Sequence, residues 1–284
     1  MFMERIKSYG RYRAADLFRR RLRCIFVLST GRCGTKTLAH LLDLAPDIAA
    51  HHEPKPRFLK KTHQAYMQDR RADRYADSFT KRYLEARLYS HADEQHMRQA
   101  LRRGILYAEC SNRLTYVAGD LARFLPRSRF IFLHRDPAGT VRSGMRRAYY
   151  AGHVWDHARI TPRPGTAGAQ QWLRWDAFQR TCWYWNEVNM LALAFLKTLP
   201  PERIFTLPSA DLFAARPETI DGLFRWCGVK PPDASRVNDV LSQSLNAQET
   251  GDFPKPDAWT PEQRAVFLEF TEPARAALGY AAPF

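Results

Sequence analysis

An α/β fold is predicted, with a doubly wound parallel sheet flanked by helices. Three observations carry that prediction. Short apolar, β-rich runs recur at 24–28, 105–110, 129–134 and 203–207. Helical patterns separate them, and strands joined through helices lie parallel in one sheet. The first run passes through a turn containing Gly31 and Gly34 straight into a helical pattern, the strand–turn–helix unit of ligand-binding α/β sheets.

Taken in order, the first helix starts near Thr35 and runs through Leu38, Leu41 and Leu42. Residues 63–102 are charged, with apolar positions at helical spacing, and predict two helices outside the sheet. A helix follows Pro137, since Pro suits a first helical position. Residues 152–168 are rich in Gly and Pro and predict a long loop. A strong helical pattern covers 170–196, and Pro217 and Gly228 bracket a further helix. The segment 243–284, with Pro254, Pro256, Pro261 and Pro273, is expected to wrap the surface. No internal repeat or low-complexity tract divides the chain, so a single domain over 1–284 is expected, with 1–23 as a basic helix.

A length of 284 residues and a 45 % hydrophobic content make the chain globular rather than disordered. Its apolar runs are far shorter than the ~20 residues that span a bilayer. The opening residues lack an apolar core followed by a small-residue cleavage site, so a cytoplasmic protein is expected. Cysteines stand at 24, 33, 110, 182 and 227, an odd number without a CxxC pair, which argues against a disulfide framework or a zinc site. Net charge is +15, from 44 basic and 29 acidic residues, and such a field attracts anions. The first thirty residues carry eight Arg or Lys against Glu4 and Asp16. A solvated basic helix explains this most simply; peripheral contact with an anionic membrane or glycan is the other reading. Nucleic acid is not expected as a partner, because no helix-turn-helix, zinc-finger or RNA-binding pattern accompanies the charge.

The sharpest local signal is the turn from Ser29 to Lys36. Gly31 and Gly34 permit tight turning and close approach to a ligand. The first N–H groups of the following helix point at the turn, with the positive end of the helix dipole behind them, which suffices to bind phosphate. Thr35 and Thr37 add hydroxyl donors, and Arg32 and Lys36 add charge. The core therefore reads as P-loop-like and nucleotide-binding. An ATP-type loop needs Gly directly before its Lys, and Thr35 stands there instead. A P-loop phosphotransferase using ATP and magnesium is thus the weaker alternative. A non-catalytic anion-binding protein is another, explaining the charge but not paired phosphate motifs.

The second signal lies at 129–147. A buried strand ends at Arg135, Asp136-Pro137 sets a turn, and Ser143 follows eight residues after Arg135 on the next helix. Arg135 therefore sits at the carboxyl end of a parallel strand, where open α/β sheets bind ligands. Arg supplies a fixed fork of donors and Ser a short hydroxyl, so the two can close on one phosphate.

Together these motifs resemble the PAPS-dependent sulfotransferase family (PAPS is 3′-phosphoadenosine-5′-phosphosulfate), in its bacterial glycan- and protein-tyrosine-like branch. Arg32, Gly34, Thr35 and Leu38 match that family's first motif, with Cys33 where Ser or Thr is usual. Arg135, Asp136, Pro137 and Ser143 match its 3′-phosphate motif, with Gly139 replacing an acidic residue and leaving the turn less fixed. The stretch from 203 to 229 resembles the family's late strand and helix, with Ser209 where Tyr is frequent and Ala210 where Glu is frequent. The resemblance covers most of the chain, including the closing Leu278–Tyr280.

The resemblance implies transfer of a sulfuryl group from PAPS, as co-substrate, to an acceptor hydroxyl of a glycan, lipid-linked glycan or other compound, without a required metal. Donor contacts are expected from Arg32, Cys33, Gly34, Thr35, Lys36, Thr37, Arg135 and Ser143. Arg32 is expected to stabilise the leaving phosphate, with Lys36 able to share that task. Glu53, ending the strand that the resemblance places there, is expected to be the base; His51 and His52 are adjacent rivals and Glu109 the runner-up. Trp172, Trp175, Trp183, Tyr184 and Trp185 crowd one helix; most belong in the core, and stacking on adenine or a sugar stays open for one. Trp155 is a candidate acceptor contact. Residues 246–255 are a candidate cover over the nucleotide.

Overall fold

The computed structural model describes residues 19–68, 82–84, 86–88, 96–243 and 251–284. The expected basic helix at 1–23 lies largely outside the described residues, as does much of the charged stretch after His63. The sheet has five parallel strands in the order β2-β3-β1-β4-β5: β1 (Cys24–Leu28), β2 (Ile48–His52), β3 (Leu106–Cys110), β4 (Arg129–His134) and β5 (Ile204–Pro208). Every residue of β1 is buried, as befits a central strand covered on both faces. Its side chains alternate between two cores. Phe26 packs with Tyr107, Leu121 and Phe130, while Ile25 and Val27 pack with Leu38, Leu41 and Ile131.

The fifth strand, β2, has a weak local signal. Its sequence, IAAHH, has one β-branched residue and low strand propensity. Pairing along β3, with His51 opposite Glu109 and His52 opposite Cys110, holds it extended.

Helices cover both faces. Those whose bounds are described are, in chain order, α1 (Thr35–Leu42), α2 (Leu59–Met67), α3 (His96–Arg103), α4 (Ala118–Phe124), α5 (Pro137–Met145), α6 (Ala167–Gln171), α7 (Ala177–Leu196), α8 (Ser209–Phe213), α9 (Pro217–Cys227), α10 (Ala234–Ser242) and α11 (Pro261–Ala277). The pattern predicted one helix over 170–196. The structure breaks it in two, because Asp176 and Gln179 form a reciprocal capping box that starts α7 at Ala177. Pro217 opens α9 and Gly228, at φ 74°, closes it.

The chain after Gly251 carries a 17-residue helix, α11, started by a second capping box between Thr260 and Gln263. Trp259, Phe267 and Ala274 pack there with Phe178, Cys182 and Trp185 of α7. All five cysteines are buried and unbridged. Among the described residues no helix is long and apolar enough to cross a membrane.

Strand order reverses beside β1. The chain leaves β1 toward β2 and β3 on one side and leaves β4 toward β5 on the other. The crevice at the carboxyl ends of β1 and β4 is therefore the topological switch point, where open α/β sheets bind ligands.

Candidate active site

The turn leaving β1 fills that crevice. Gly31, Arg32 and Gly34 all have positive φ, at 77°, 61° and 97°. The left-handed conformation costs Arg32 about 1–2 kcal/mol, so the surroundings must impose it. Ser29 Oγ accepts from the Gly31 N–H at 2.9 Å, and Thr115 Oγ1 accepts from the Ser29 N–H at 3.0 Å. Tyr184 donates its hydroxyl to the Thr30 carbonyl at 3.0 Å, and Arg135 Nη1 donates to the Arg32 carbonyl at 3.1 Å. No side chain caps α1 and no acidic residue stands in its first turn. The first N–H groups of this helix thus face the crevice with the dipole's positive end.

Cys33 departs from its expected donor role. Its thiol is fully buried against Thr30 Oγ1 and the Gly31 carbonyl, at 3.2 and 3.1 Å, and its side chain belongs to the core. Only its backbone remains for a ligand.

The turn after β4 is firmly set. Asp136 caps α5 by accepting from the Gly139 N–H at 2.5 Å, and Thr140 Oγ1 donates to the Asp136 carbonyl at 2.9 Å. Gly139 does not loosen this turn, contrary to the sequence expectation. A Cβ there would lie 2.8 Å from Asp136 Oδ2 and 2.9 Å from Arg135 Nη2, so Gly makes room for both side chains. The Trp185 indole N–H donates to the Arg135 carbonyl at 3.2 Å. Ser143, on α5, accepts from Arg32 Nε at 3.0 Å. Both motifs therefore meet at Arg32.

They open onto a cavity of about 450 Å³ lined by Gly31, Arg32, Gly34, Thr35, Lys36 and Thr37 on one side. His52, Glu53 and Arg57 approach from the β2 end, and Asn112 and Arg113 from the segment after β3. Arg147, Tyr149, His153, Trp155 and Arg159 approach from the chain after α5, with Arg135 and Phe213 beside the turn. Seven lining residues are Arg or Lys and one, Glu53, is a carboxylate, so the cavity is built for a polyanion. Burial pulls the Arg32 pKa below its ordinary value and the Arg147 and Arg135 charges add to that, while Tyr149 opposes it. An arginine stays protonated regardless, and a bound anion relieves the crowding of like charges.

The four candidate bases separate cleanly. Glu53 faces the cavity with φ 45°, its carboxylate 3.8 Å from Arg57. His52 also lines it and contacts Thr35 Oγ1 at 3.2 Å. His51 is outside the described cavity lining and stacks on His96 at 3.8 Å; burial, with the His96 charge, lowers its pKa to about 4. Glu109 is sealed in the core. It takes both Arg87 Nε and Nη2 at 2.9 Å, Tyr83 and Tyr107 hydroxyls at 2.6 and 2.9 Å, and Ser111 Oγ at 3.0 Å. Burial alone raises its pKa, but Arg87 and these donors more than offset that and hold the carboxyl below its usual range. Arg87 Nη2 also reaches the Pro54 carbonyl at 3.3 Å, so Glu109 supports the segment next to Glu53 rather than facing the cavity.

None of the five aromatic residues predicted to crowd one helix appears among the described cavity-lining residues. Tyr184 and Trp185 instead anchor the Thr30 and Arg135 carbonyls. The lining aromatics are Tyr149, Trp155 and Phe213. Trp155 is 37 % exposed. Phe213 is 48 % exposed and packs over Gly34, whose Cβ would lie 3.0 Å from the ring. Asn112 and Arg113 escaped sequence reading, although their position just past a predicted strand end was a usable signal. Arg147, His153 and Arg159 sit in or beside a predicted loop with no pattern to single them out. Of the suggested cover, 244–250 lies outside the described residues. Gly251 and Phe253 dock on α5 through carbonyls that accept from Arg146 Nε and Arg142 Nε at 2.9 and 3.0 Å.

A family model described as "Sulfotransferase family" matches residues 24–233. Among solved structures, the sulfotransferase domain from the curacin biosynthetic pathway is 16 % identical, covers 93 % of this chain and 100 % of its own, and superposes with a TM-score of 0.55. The sulfotransferase domain of the Synechococcus PCC 7002 olefin synthase is 14 % identical, with coverage of 93 % and 97 % and a TM-score of 0.50. At such identities the likeness is one of fold. No curated protein matches the chain by sequence.

Proposed function

Because the chain belongs to the sulfotransferase family, we propose that it transfers a sulfuryl group from PAPS to an acceptor hydroxyl, in line and with Glu53 as base. One observation carries this reading: Arg32 and Arg135, which line a single cavity, bond the phosphate turn to the strand-end motif, Arg32 through Ser143 and Arg135 through the Arg32 carbonyl, although Ser143 itself is not among the described lining residues. Gly34, Thr35, Lys36 and Thr37 at the start of α1, with the Cys33 backbone, hold the 5′-phosphosulfate end of the donor. Arg135 and Ser143 hold its 3′-phosphate. Arg32 lies between the two motifs and, with Lys36, neutralises charge on the leaving phosphate. Glu53 accepts the proton of the attacking hydroxyl. No step in this scheme calls for a metal ion, because the side chains supply the charge.

The acceptor is proposed to be a glycan or lipid-linked glycan, on the strength of the basic composition and the ring of Trp155 at the cavity. The whole chain is proposed to act as one cytoplasmic domain. Incubation with radiolabelled PAPS and a panel of hydroxyl acceptors, without added divalent metal, tests the reading. Label transferred to an acceptor and lost in Glu53→Gln supports it. Transfer that persists undiminished in Glu53→Gln removes Glu53 as base.

A further inference from the structure

Building on the sulfuryl-transfer reading, we propose that the acceptor is itself an anion, whose phosphate, sulfate or carboxylate group is held by Arg113, Arg147, Arg159 and His153. These residues line the cavity from the segment after β3 and the chain after α5. They belong to neither phosphate motif.

The chemistry of this wall is weighted toward charged donors, although the Tyr149 hydroxyl and the Gln243 amide at the same cavity can also accept. Arg113, Arg147 and Arg159 are donors only. The Trp155 backbone N–H donates to His153 Nδ1 at 3.1 Å, and Arg159 Nη2 meets the same nitrogen at 3.3 Å. Nδ1 is therefore the acceptor, the proton sits on Nε2, and His153 offers a further donor. A neutral sugar hydroxyl both gives and takes hydrogen bonds and calls for carboxylates or amide carbonyls as well as donors. Among the described residues the carboxylate lining the cavity is Glu53, the proposed base; Asp156, next to these residues in the chain, is not among the lining residues and is already engaged. It accepts from Arg159 Nε at 3.1 Å and from the Gly152 and His153 N–H groups at 3.1 and 3.0 Å. The amide of Asn112 sits against Gly31, at the phosphate turn. A wall of donors fits an oxyanion.

The donors are also fixed in place. Arg159 is 5 % exposed, with its guanidinium carbon 3.4 Å from the Tyr149 ring centroid. Arg113 Nη1 donates to the Ala158 carbonyl at 2.6 Å. Pre-set donors lose little freedom on binding and discriminate charge well. Arg147 lines the same cavity as Arg32 and His153, so an acceptor held by this wall shares that cavity with the phosphate turn.

The test uses protein saturated with 3′-phosphoadenosine 5′-phosphate (PAP), so that the donor motifs are filled. Binding of glucose, glucose 6-phosphate, glucose 6-sulfate and glucuronate is then measured by calorimetry at low salt, and the three charged sugars distinguish the oxyanions. At least one should bind about tenfold or more tighter than glucose, and Arg113→Gln and Arg147→Gln should each remove about that factor. Unchanged PAP affinity in Arg113→Gln shows that variant to be folded. Charged sugars binding no tighter than glucose, or an advantage that survives both substitutions, would overturn the proposal. Failure of the wild-type protein to bind PAP would instead overturn the sulfuryl-transfer reading, and this proposal with it.

Discussion

Arg32 donates from Nε to Ser143 Oγ at 3.0 Å, linking residues 111 positions apart in the chain. The bond spans the crevice between the turn after β1 and the helix after β4, and it brings a left-handed Arg into line with the strand-end motif. In the proposed donor site, Ser143→Ala removes one donor to the 3′-phosphate and the bond from Arg32 Nε. PAP affinity is expected to fall about tenfold, the worth of one hydrogen bond to a charged group. Arg135→Ala should cost more, since it removes a charge and releases the Arg32 carbonyl. Calorimetric titration with PAP checks both.

Glu53→Gln keeps the shape of the β2 end and removes the carboxylate proposed as base. Turnover is expected to drop ~10²–10⁴-fold, with PAP affinity unchanged. Loss of PAP binding in this variant would mean that Glu53 shapes the donor site instead.

Glu109 and Arg87 form a buried pair in which each carboxylate oxygen is engaged. Glu109→Ala leaves the Arg87 charge uncompensated in the core, at a cost of about 3–5 kcal/mol. Urea unfolding should show that loss. A variant as stable as the parent would mean that water or another group reaches Arg87.

The fold was legible where local chemistry and burial agree. Cys24–Leu28 and Arg129–His134 are apolar and β-rich and lie where predicted. β2 carried no such signal, because pairing with β3 rather than its own residues makes it a strand. The capping box at Asp176 was readable in principle, yet the unbroken helical pattern around it masked the break. At the site, Arg32, Lys36 and Arg135 could be picked out because each sits at a strand end or helix start, whereas Glu53 was found only through the family resemblance. Arg147 and Arg159 join Arg113 only through tertiary folding, and nothing in their spacing announces it, whereas Arg113 follows a predicted strand end. Tyr184 and Trp185 were visible as a cluster, but their partners, the Thr30 and Arg135 carbonyls, were not.

Two histidines make stability depend on pH. Burial lowers His134 to about 4, and burial with the His96 charge lowers His51 to about 4, from an ordinary value of 6.5. Both are thus neutral when folded and protonated more readily when unfolded. Stability is fully present above about pH 6.5 and falls as pH drops toward 4, where the unfolded chain binds more protons. His134 Nδ1 faces the Tyr280 hydroxyl at 2.7 Å, a contact the neutral ring can make as donor or acceptor. Urea midpoints should decline between pH 6.5 and 4.5, and His134→Asn should flatten that slope. An unchanged slope in the variant would assign the decline elsewhere.

The central claim is that this cavity holds a 3′-phosphorylated adenine nucleotide. Thermal unfolding with PAP, with AMP, and with ATP plus magnesium tests it most directly. A ligand at 100 times its dissociation constant adds about 2.7 kcal/mol, a readily measured shift. Stabilisation by PAP well beyond that by AMP or ATP is the predicted result. Stabilisation by ATP and magnesium alone, or no shift with any nucleotide, would contradict the account.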